Sequence, residues 1–288
     1  MNAPVVYLNG DYVPEHAACV SIQDRGFIFG DGVYEVIPAY GGRLFRLEQH
    51  LRRLDDSLAG IRLTNPLPHA RWRALLEELI HRNGGGDLSI YLQVTRGCAP
   101  RNHAFPAGAA PTVLATCSAL TGNAPAVLAA GVAAITAEDI RWKHCHIKAI
   151  TLLPNVLLRQ QAMDAGAVEA ILIRDGQVTE GAASNVFTVV DGAITTPPKG
   201  PYLLPGITRD LIIELAREAG LSCREAPVAE ATLSGADELW LSSSTREVLP
   251  VTRLNGEPVG TGRPGPVWRR VHDLYQRYKD GLRSGRLS

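Results

Sequence analysis

The chain has 288 residues, 29 basic side chains balanced by 29 acidic ones, and 45% hydrophobic residues. This is a globular composition that excludes wholesale disorder, and it offers no basic excess for a general nucleic-acid or membrane-surface binder. Four of the basic residues are lysine (Lys143, Lys148, Lys199 and Lys279), so chemistry that needs a primary amine has few candidates.

Short β-like runs dominate the first forty residues: Val5 to Leu8 leads into Asn9-Gly10, and Val33 to Tyr40 into Gly41-Gly42, both hairpin turn signals. The period then changes. Leu47, Leu51, Leu54 and Leu58 recur at helical spacing and predict a helix over Arg46 to Ile61. Ala70 to Asn83 predicts a second amphipathic helix, stopped by Gly84-Gly85-Gly86. Leu88 to Thr95 and Thr112 to Cys117 read as buried strands around a glycine- and proline-rich loop. Turn residues without periodicity from Ala119 to Pro125 place a linker at 121–126, between a small domain at 1–120 and a larger, cofactor-binding domain at 127–288. In the second domain, strands are expected near Gly131 to Glu138, Val168 to Arg174, Asn185 to Val190, Ala193 to Thr196 and Glu238 to Leu241. Helices are expected at Pro154 to Ala165, Thr208 to Ala219 and Pro264 to Gly281. Strands and helices come in blocks, which predicts an α+β fold: two α/β domains with largely antiparallel sheets.

Several chemistries have no motif here. G-x-x-x-x-G-K, H-E-x-x-H, C-x-x-C and G-x-S-x-G are all missing. His144-Cys145-His146 lacks a second ligand cluster, so no metal is expected. Five scattered cysteines and an amino terminus without a secretory pattern favour reduced thiols and a cytoplasmic location.

Lys148 lies among apolar neighbours in Ile147-Lys148-Ala149-Ile150. Burial disfavours an ammonium, and a neutral amine is what Schiff-base chemistry needs. On position alone a lysine that snorkels to the surface fits better. Glu180 follows a hairpin turn, where a carboxylate can pair with a pyridinium nitrogen or simply be solvated. Gly206-Ile207-Thr208 opens a helix and offers free amides to an anion, Ser242 to Thr245 offers four hydroxyls, and Arg53 lies on the first long helix.

Taken together, these residues resemble the class IV (fold type IV) pyridoxal-phosphate-dependent aminotransferases, and within them the members that act on D-amino acids. The resemblance is carried by Asp24 to Val36, His50-Leu51-Arg52-Arg53-Leu54, Val94 to Gly97 and Glu138 to Trp142. It continues through Ile147-Lys148, Val178 to Gly181, Ser184 to Phe187 and Gly206 to Asp210, so that it runs over nearly the whole chain. It implies that Lys148 forms the Schiff base with pyridoxal 5'-phosphate and shuttles protons, and that Glu180 holds the pyridine nitrogen. It also implies that Arg53, the backbone at Ile207, Thr208, Ser243 and Ser244 bind the phosphate. Tyr34 and the loop pair Arg101 and His103 would grip the substrate α-carboxylate, the pair being lent by the partner in a homodimer.

The expected reaction is D-alanine with 2-oxoglutarate giving pyruvate and D-glutamate. Branched-chain L-amino-acid transaminases, (R)-amine transaminases and aminodeoxychorismate lyases share the fold and are the alternatives. Small amino and 2-oxo acids are the expected partners, with no nucleic acid and no membrane. Lys143, Lys199 and Lys279 are expected to be surface charges. Pro205, before Gly206, departs from the pattern where a more variable residue is expected.

Overall fold

A computed structural model describes residues 4–287 and separates them into two compact units. The first holds the residues up to Thr121, the segment Ile147–Thr151 and those from Gly281 onward. In chain order it contains β1 (Val5–Leu8), β2 (Asp11–Pro14), α1 (Arg25–Phe29), β3 (Gly32–Tyr40), β4 (Arg43–Leu44), α2 (Leu47–Gly60), α3 (His69–Arg82), β5 (Leu88–Thr95) and β6 (Thr112–Ala119). Six strands form one antiparallel sheet in the order β2-β1-β6-β5-β3-β4.

The leucine stripe of α2 and Trp72 and Leu76 of α3 are buried with Ile37, Ile90, Leu92 and Val94 of the sheet. Each such side chain contributes about 1.5–3 kcal/mol on burial. That gain lets α2 keep His50, Arg53 and Ser57 on the same buried face. Helix α1, inside a run that reads as β-like, is set by its cap: Asp24 Oδ1 accepts from the Gly26 amide at 2.7 Å.

The second unit holds Gly122–His146 and Leu152–Asp280. Its elements are α4 (Pro125–Ala130), β7 (Val132–Glu138), α5 (Leu153–Asp164), β8 (Glu169–Arg174), β9 (Gln177–Gly181), β10 (Asn185–Val190), β11 (Ala193–Thr196), α6 (Ile207–Glu218), β12 (Cys223–Glu225), α7 (Glu230–Ser234), β13 (Glu238–Ser243), β14 (Glu247–Leu254), β15 (Glu257–Pro258) and most of α8 (Pro266–Arg283). The sheet runs β12-β11-β10-β13-β14-β7-β8-β9, with β15 beside β14. The β11–β12, β14–β7 and β7–β8 pairs are parallel and the others antiparallel.

Lys279 corrects an expectation. It is 5% exposed and paired with Glu247, which opens β14 and meets α8 there. A second carboxylate ties the same helix down. Glu238 accepts from the amides of Val267 (2.9 Å) and Trp268 (2.7 Å) at the start of α8 and from the Trp240 indole (3.0 Å). Glu238→Ala should cost about 2–3 kcal/mol in urea unfolding, because it removes a charged cap and strands a buried indole N–H. A midpoint and slope equal to wild type would refute this role.

Candidate active site

Lys148 is fixed through its backbone. Its amide donates to Ser57 Oγ on α2 (3.1 Å), and its carbonyl accepts from the Tyr34 amide on β3 (2.9 Å). Ala149 bridges Val33, and the Ile150 amide donates to the Gly32 carbonyl at 3.1 Å. In this extended segment Ile147 and Ala149 are buried while Lys148 is half-buried, less enclosed than its apolar neighbours suggest. The alternation explains it: the side chains on either side of Lys148 face the core. The Lys148 amine stands 4.2 Å from the centre of the half-buried Tyr34 ring. Gly60 allows this docking, since a Cβ there would lie 2.8 Å from Ile147.

Beside this segment lies a buried ion cluster. Arg53 Nε and Nη2 donate to the two Glu35 oxygens at 2.8 and 2.6 Å, and His50 Nδ1 lies 2.7 Å from Oε2. Burial alone would raise the Glu35 pKa, but the charge and hydrogen bond of Arg53, with the His50 hydrogen bond, bring it down to about 2. For His50, burial dominates and lowers the pKa, so a neutral ring donates Nδ1–H to the carboxylate. The sequence places Arg53 on a helix face; its partner lies 18 residues away. His50, Arg53 and Ser57 at i, i+3 and i+7 on a leucine-lined stripe are the pattern that marks this cluster.

A depressed carboxylate pKa makes stability pH-dependent in a definite direction. The Glu35 contribution is complete above the ordinary value of 4.5 and is lost as the pH falls from there toward 2. Glu35→Gln should flatten acid unfolding in that window. At neutral pH it should also cost about 3–5 kcal/mol, because the Arg53 charge is left buried without its counter-ion. An acid transition unchanged by the substitution would contradict this.

Glu180 lies in β9, not in a turn, with Val178 to Gly181 all buried. Its Oε1 accepts from Arg141 Nη1, and its Oε2 accepts from Asn185 Nδ2 (3.2 Å) and the Leu204 amide (3.0 Å). Arg141 is held by Asp139 through Nε and Nη2, each at 2.9 Å. Burial pushes the Asp139 pKa up, but the Arg141 hydrogen bonds and charge outweigh it and hold the carboxyl below its usual range. Thr179 Oγ1 adds a bond to Asp139 at 2.9 Å. Arg141, Asp139 and Asn185 appear in the motifs above without roles; the structure joins them to Glu180.

The anion-binding candidates of the second unit fall into two groups. Ile207 and Thr208 open α6, whose start at Gly206 has no side-chain cap. Thr208 Oγ1 is buried and has no hydrogen-bond partner among the described residues, as is true of Ser242 Oγ. Ser243 Oγ accepts from the Arg246 amide at 3.2 Å, which leaves its O–H to donate. Ser244 is half-buried in the same turn. In the first unit, Arg101 and His103 are exposed on the loop between β5 and β6, and both flank Phe29. Gly97 starts that loop at φ 86°, where a Cβ would lie 1.9 Å from the Ala110 carbonyl oxygen.

Comparison with known proteins bears on both halves. The class IV amino-transferase family model matches residues 32–254. The chain is 44% identical over 271 residues to the D-alanine aminotransferase of Bacillus licheniformis, covering 94% of this chain and 95% of that protein. It is 40% identical over 273 residues to the Staphylococcus haemolyticus D-alanine aminotransferase, covering 95% and 97%. Among solved structures, the branched-chain amino acid aminotransferase of Escherichia coli matches with a TM-score of 0.90 and 29% identity, over 96% of this chain and 94% of that one. The T.th. branched-chain amino acid aminotransferase with pyridoxamine 5'-phosphate matches with a TM-score of 0.91 and 26% identity, over 98% and 96%.

Proposed function

The chain belongs to the class IV aminotransferases, and on that footing we propose that it transfers the amino group of D-amino acids, D-alanine foremost, to 2-oxoglutarate. The observation that carries this reading is Lys148, an amine anchored through its backbone to both α2 and β3 and resting on Tyr34. The relatives matched at 40–44% identity over nearly full length are D-alanine aminotransferases, whereas the branched-chain enzymes enter as neighbours in fold at 26–29% identity.

The residues fit pyridoxal 5'-phosphate. A buried threonine hydroxyl without a protein partner among the described residues, at a helix start without a side-chain cap, suits a phosphate oxygen. Thr208, the Ile207 amide, Ser243, Ser244 and Arg53 would bind the phosphate, and Glu180 would accept from the ring nitrogen. The cofactor supplies an aldehyde that condenses with amines and a protonated ring that draws electrons from the substrate Cα.

Lys148 Nζ would take the proton from the substrate Cα and, as an ammonium, would hold it and later give it back. Arg141 and Asn185 hold Glu180 as an acceptor aimed by three donors, and Asp139 fixes Arg141. Tyr34, Arg101 and His103 bind the α-carboxylate. Arg101 has no acidic partner among the described residues, so its planar fork is available to a ligand.

A homodimer accords with the apolar face of α5, where Leu153, Val156, Leu157 and Met163 are 55–68% exposed. A light-scattering mass of one 31.0 kDa chain would refute it. The unpaired cysteines suit a cytoplasmic home. For the cofactor assignment, the protein is loaded with pyridoxal phosphate, reduced with borohydride and mapped by peptide mass. The label is expected on Lys148; a label on Lys143, Lys199 or Lys279 instead overturns the assignment.

A further inference from the structure

The loop that carries Arg101 and His103 is exposed, yet its backbone is hooked to a buried cation. Arg25, 3% exposed, donates from Nη1 to the carbonyls of Asn102 (2.5 Å) and Ala104 (3.4 Å) and from Nη2 to that of His103 (3.5 Å). Asp31 holds this guanidinium from behind: its Oδ2 accepts from Arg25 Nε and from Arg96 Nε, each at 2.8 Å. Burial alone would raise the Asp31 pKa; the hydrogen bonds and charges of Arg96 and Arg25 outweigh it and keep the group an acceptor. Arg96 also lies 3.7 Å from the centre of the Phe105 ring, so the far end of the loop is held by the same network.

Helix α1, which bears Arg25, is itself immobilised. Asp24 caps it and also accepts from Thr95 Oγ1 (3.0 Å) and Thr112 Oγ1 (2.6 Å), at the ends of β5 and β6 from which the loop springs. At the other end of α1, the Phe29 ring centre lies 5.3 Å from the His103 ring, 5.4 Å from the Arg101 guanidinium and 4.8 Å from that of Arg25. One aromatic ring therefore meets both side chains of the pair, while the peptide units between them are bound to Arg25.

An arginine on a free surface loop would have many rotamers to lose on gripping a carboxylate, and fixing it beforehand removes much of that cost. We propose that Arg25 and Phe29 are positioning residues that pre-set Arg101 and His103 for the substrate α-carboxylate. Arg25 is not itself a carboxylate ligand, since it is 3% exposed and Asp31 and three peptide carbonyls take four of its five N–H donors. The proposal rests on reading Arg101 and His103 as the carboxylate clamp.

Phe29→Leu keeps an apolar side chain and removes the ring; Arg25→Lys keeps the charge and removes the fork. Phe29→Leu should raise KM for D-alanine roughly tenfold while leaving kcat within about twofold and the visible absorption of the loaded enzyme unchanged. Arg25→Lys should speed amide exchange over residues 101–105 even in the cofactor-free protein. Added to Arg101→Ala, Phe29→Leu should cause no further rise in KM, because both act on one contact. If Phe29→Leu leaves KM unchanged while Arg101→Ala raises it, the positioning role is wrong and the clamp stands. If neither changes KM, the clamp reading fails and the proposal with it. A fall in kcat together with lost cofactor absorption would also overturn the proposal, since Phe29 would then be supporting the fold at large. Should Arg25→Lys fail to fold, Phe29→Leu and the double variant decide alone.

Discussion

Lys148→Ala is expected to abolish the visible absorption of the cofactor-loaded protein and to reduce transamination by at least about 10³-fold, the loss that follows from removing both the attachment point and the proton carrier. The fold should survive. The bonds that dock this segment run from the Lys148 amide to Ser57 Oγ and from the Tyr34 amide to the Lys148 carbonyl, and alanine keeps both. Unfolding in urea should therefore be close to wild type, which separates lost chemistry from lost structure. Lys143→Ala, at an exposed position, should retain colour and activity. A coloured, active Lys148→Ala protein would remove the mechanism altogether.

The second large effect is expected at Arg101. Two charge-assisted hydrogen bonds to a carboxylate are together worth about 3 kcal/mol, which corresponds to roughly a hundredfold change in affinity. Arg101→Ala should raise KM for D-alanine by about that factor with kcat little altered and the cofactor spectrum unchanged. Because Arg101 makes no ion pair among the described residues, the substitution leaves no charged partner stranded, and stability should not move. Arg101→Lys should recover only part of the affinity, since an ammonium cannot present the planar fork. An unaltered KM would mean that the α-carboxylate is bound elsewhere.

What the sequence discloses depends on how local the cause is. The leucine spacing of α2 and the glycine stop of α3 are local, and both helices lie within a residue of the expected bounds. The five-residue helix α1 is too short to show a period, and its cap is stabilised by Thr95 and Thr112 from the far end of the domain. Glu180 reads as a turn acid because Asp175-Gly176 precedes it, yet pairing with β8 makes it part of a strand. The same limit applies to charge. Lys279 resembles a helix-surface lysine until β14 brings Glu247 against it, and Arg53 resembles a helix-face cation until β3 brings Glu35.

Arginine-rich composition takes on a structural meaning at this level. Arg25, Arg53, Arg96 and Arg141 are all at most 8% exposed, and each binds a carboxylate next to a segment assigned to cofactor or substrate. A guanidinium remains charged when buried and fixes its partner with several directed bonds, which lysine cannot do. Arg25 and Arg96 share Asp31, so these are three networks; they hold Glu180 and the Arg101 loop and stand beside the Lys148 segment through residues that need not touch the substrate.

The central claim, transamination of D-amino acids, is tested most directly by one panel. Purified, cofactor-loaded protein is given 2-oxoglutarate with D-alanine, L-alanine, L-leucine, (R)-phenylethylamine or, as amino donor alone, aminodeoxychorismate, and the carbonyl product is followed. Pyruvate from D-alanine at a rate well above every other arm, with D-glutamate as co-product, is the predicted result. Faster turnover of L-leucine or of the amine, with D-alanine inert, would contradict it.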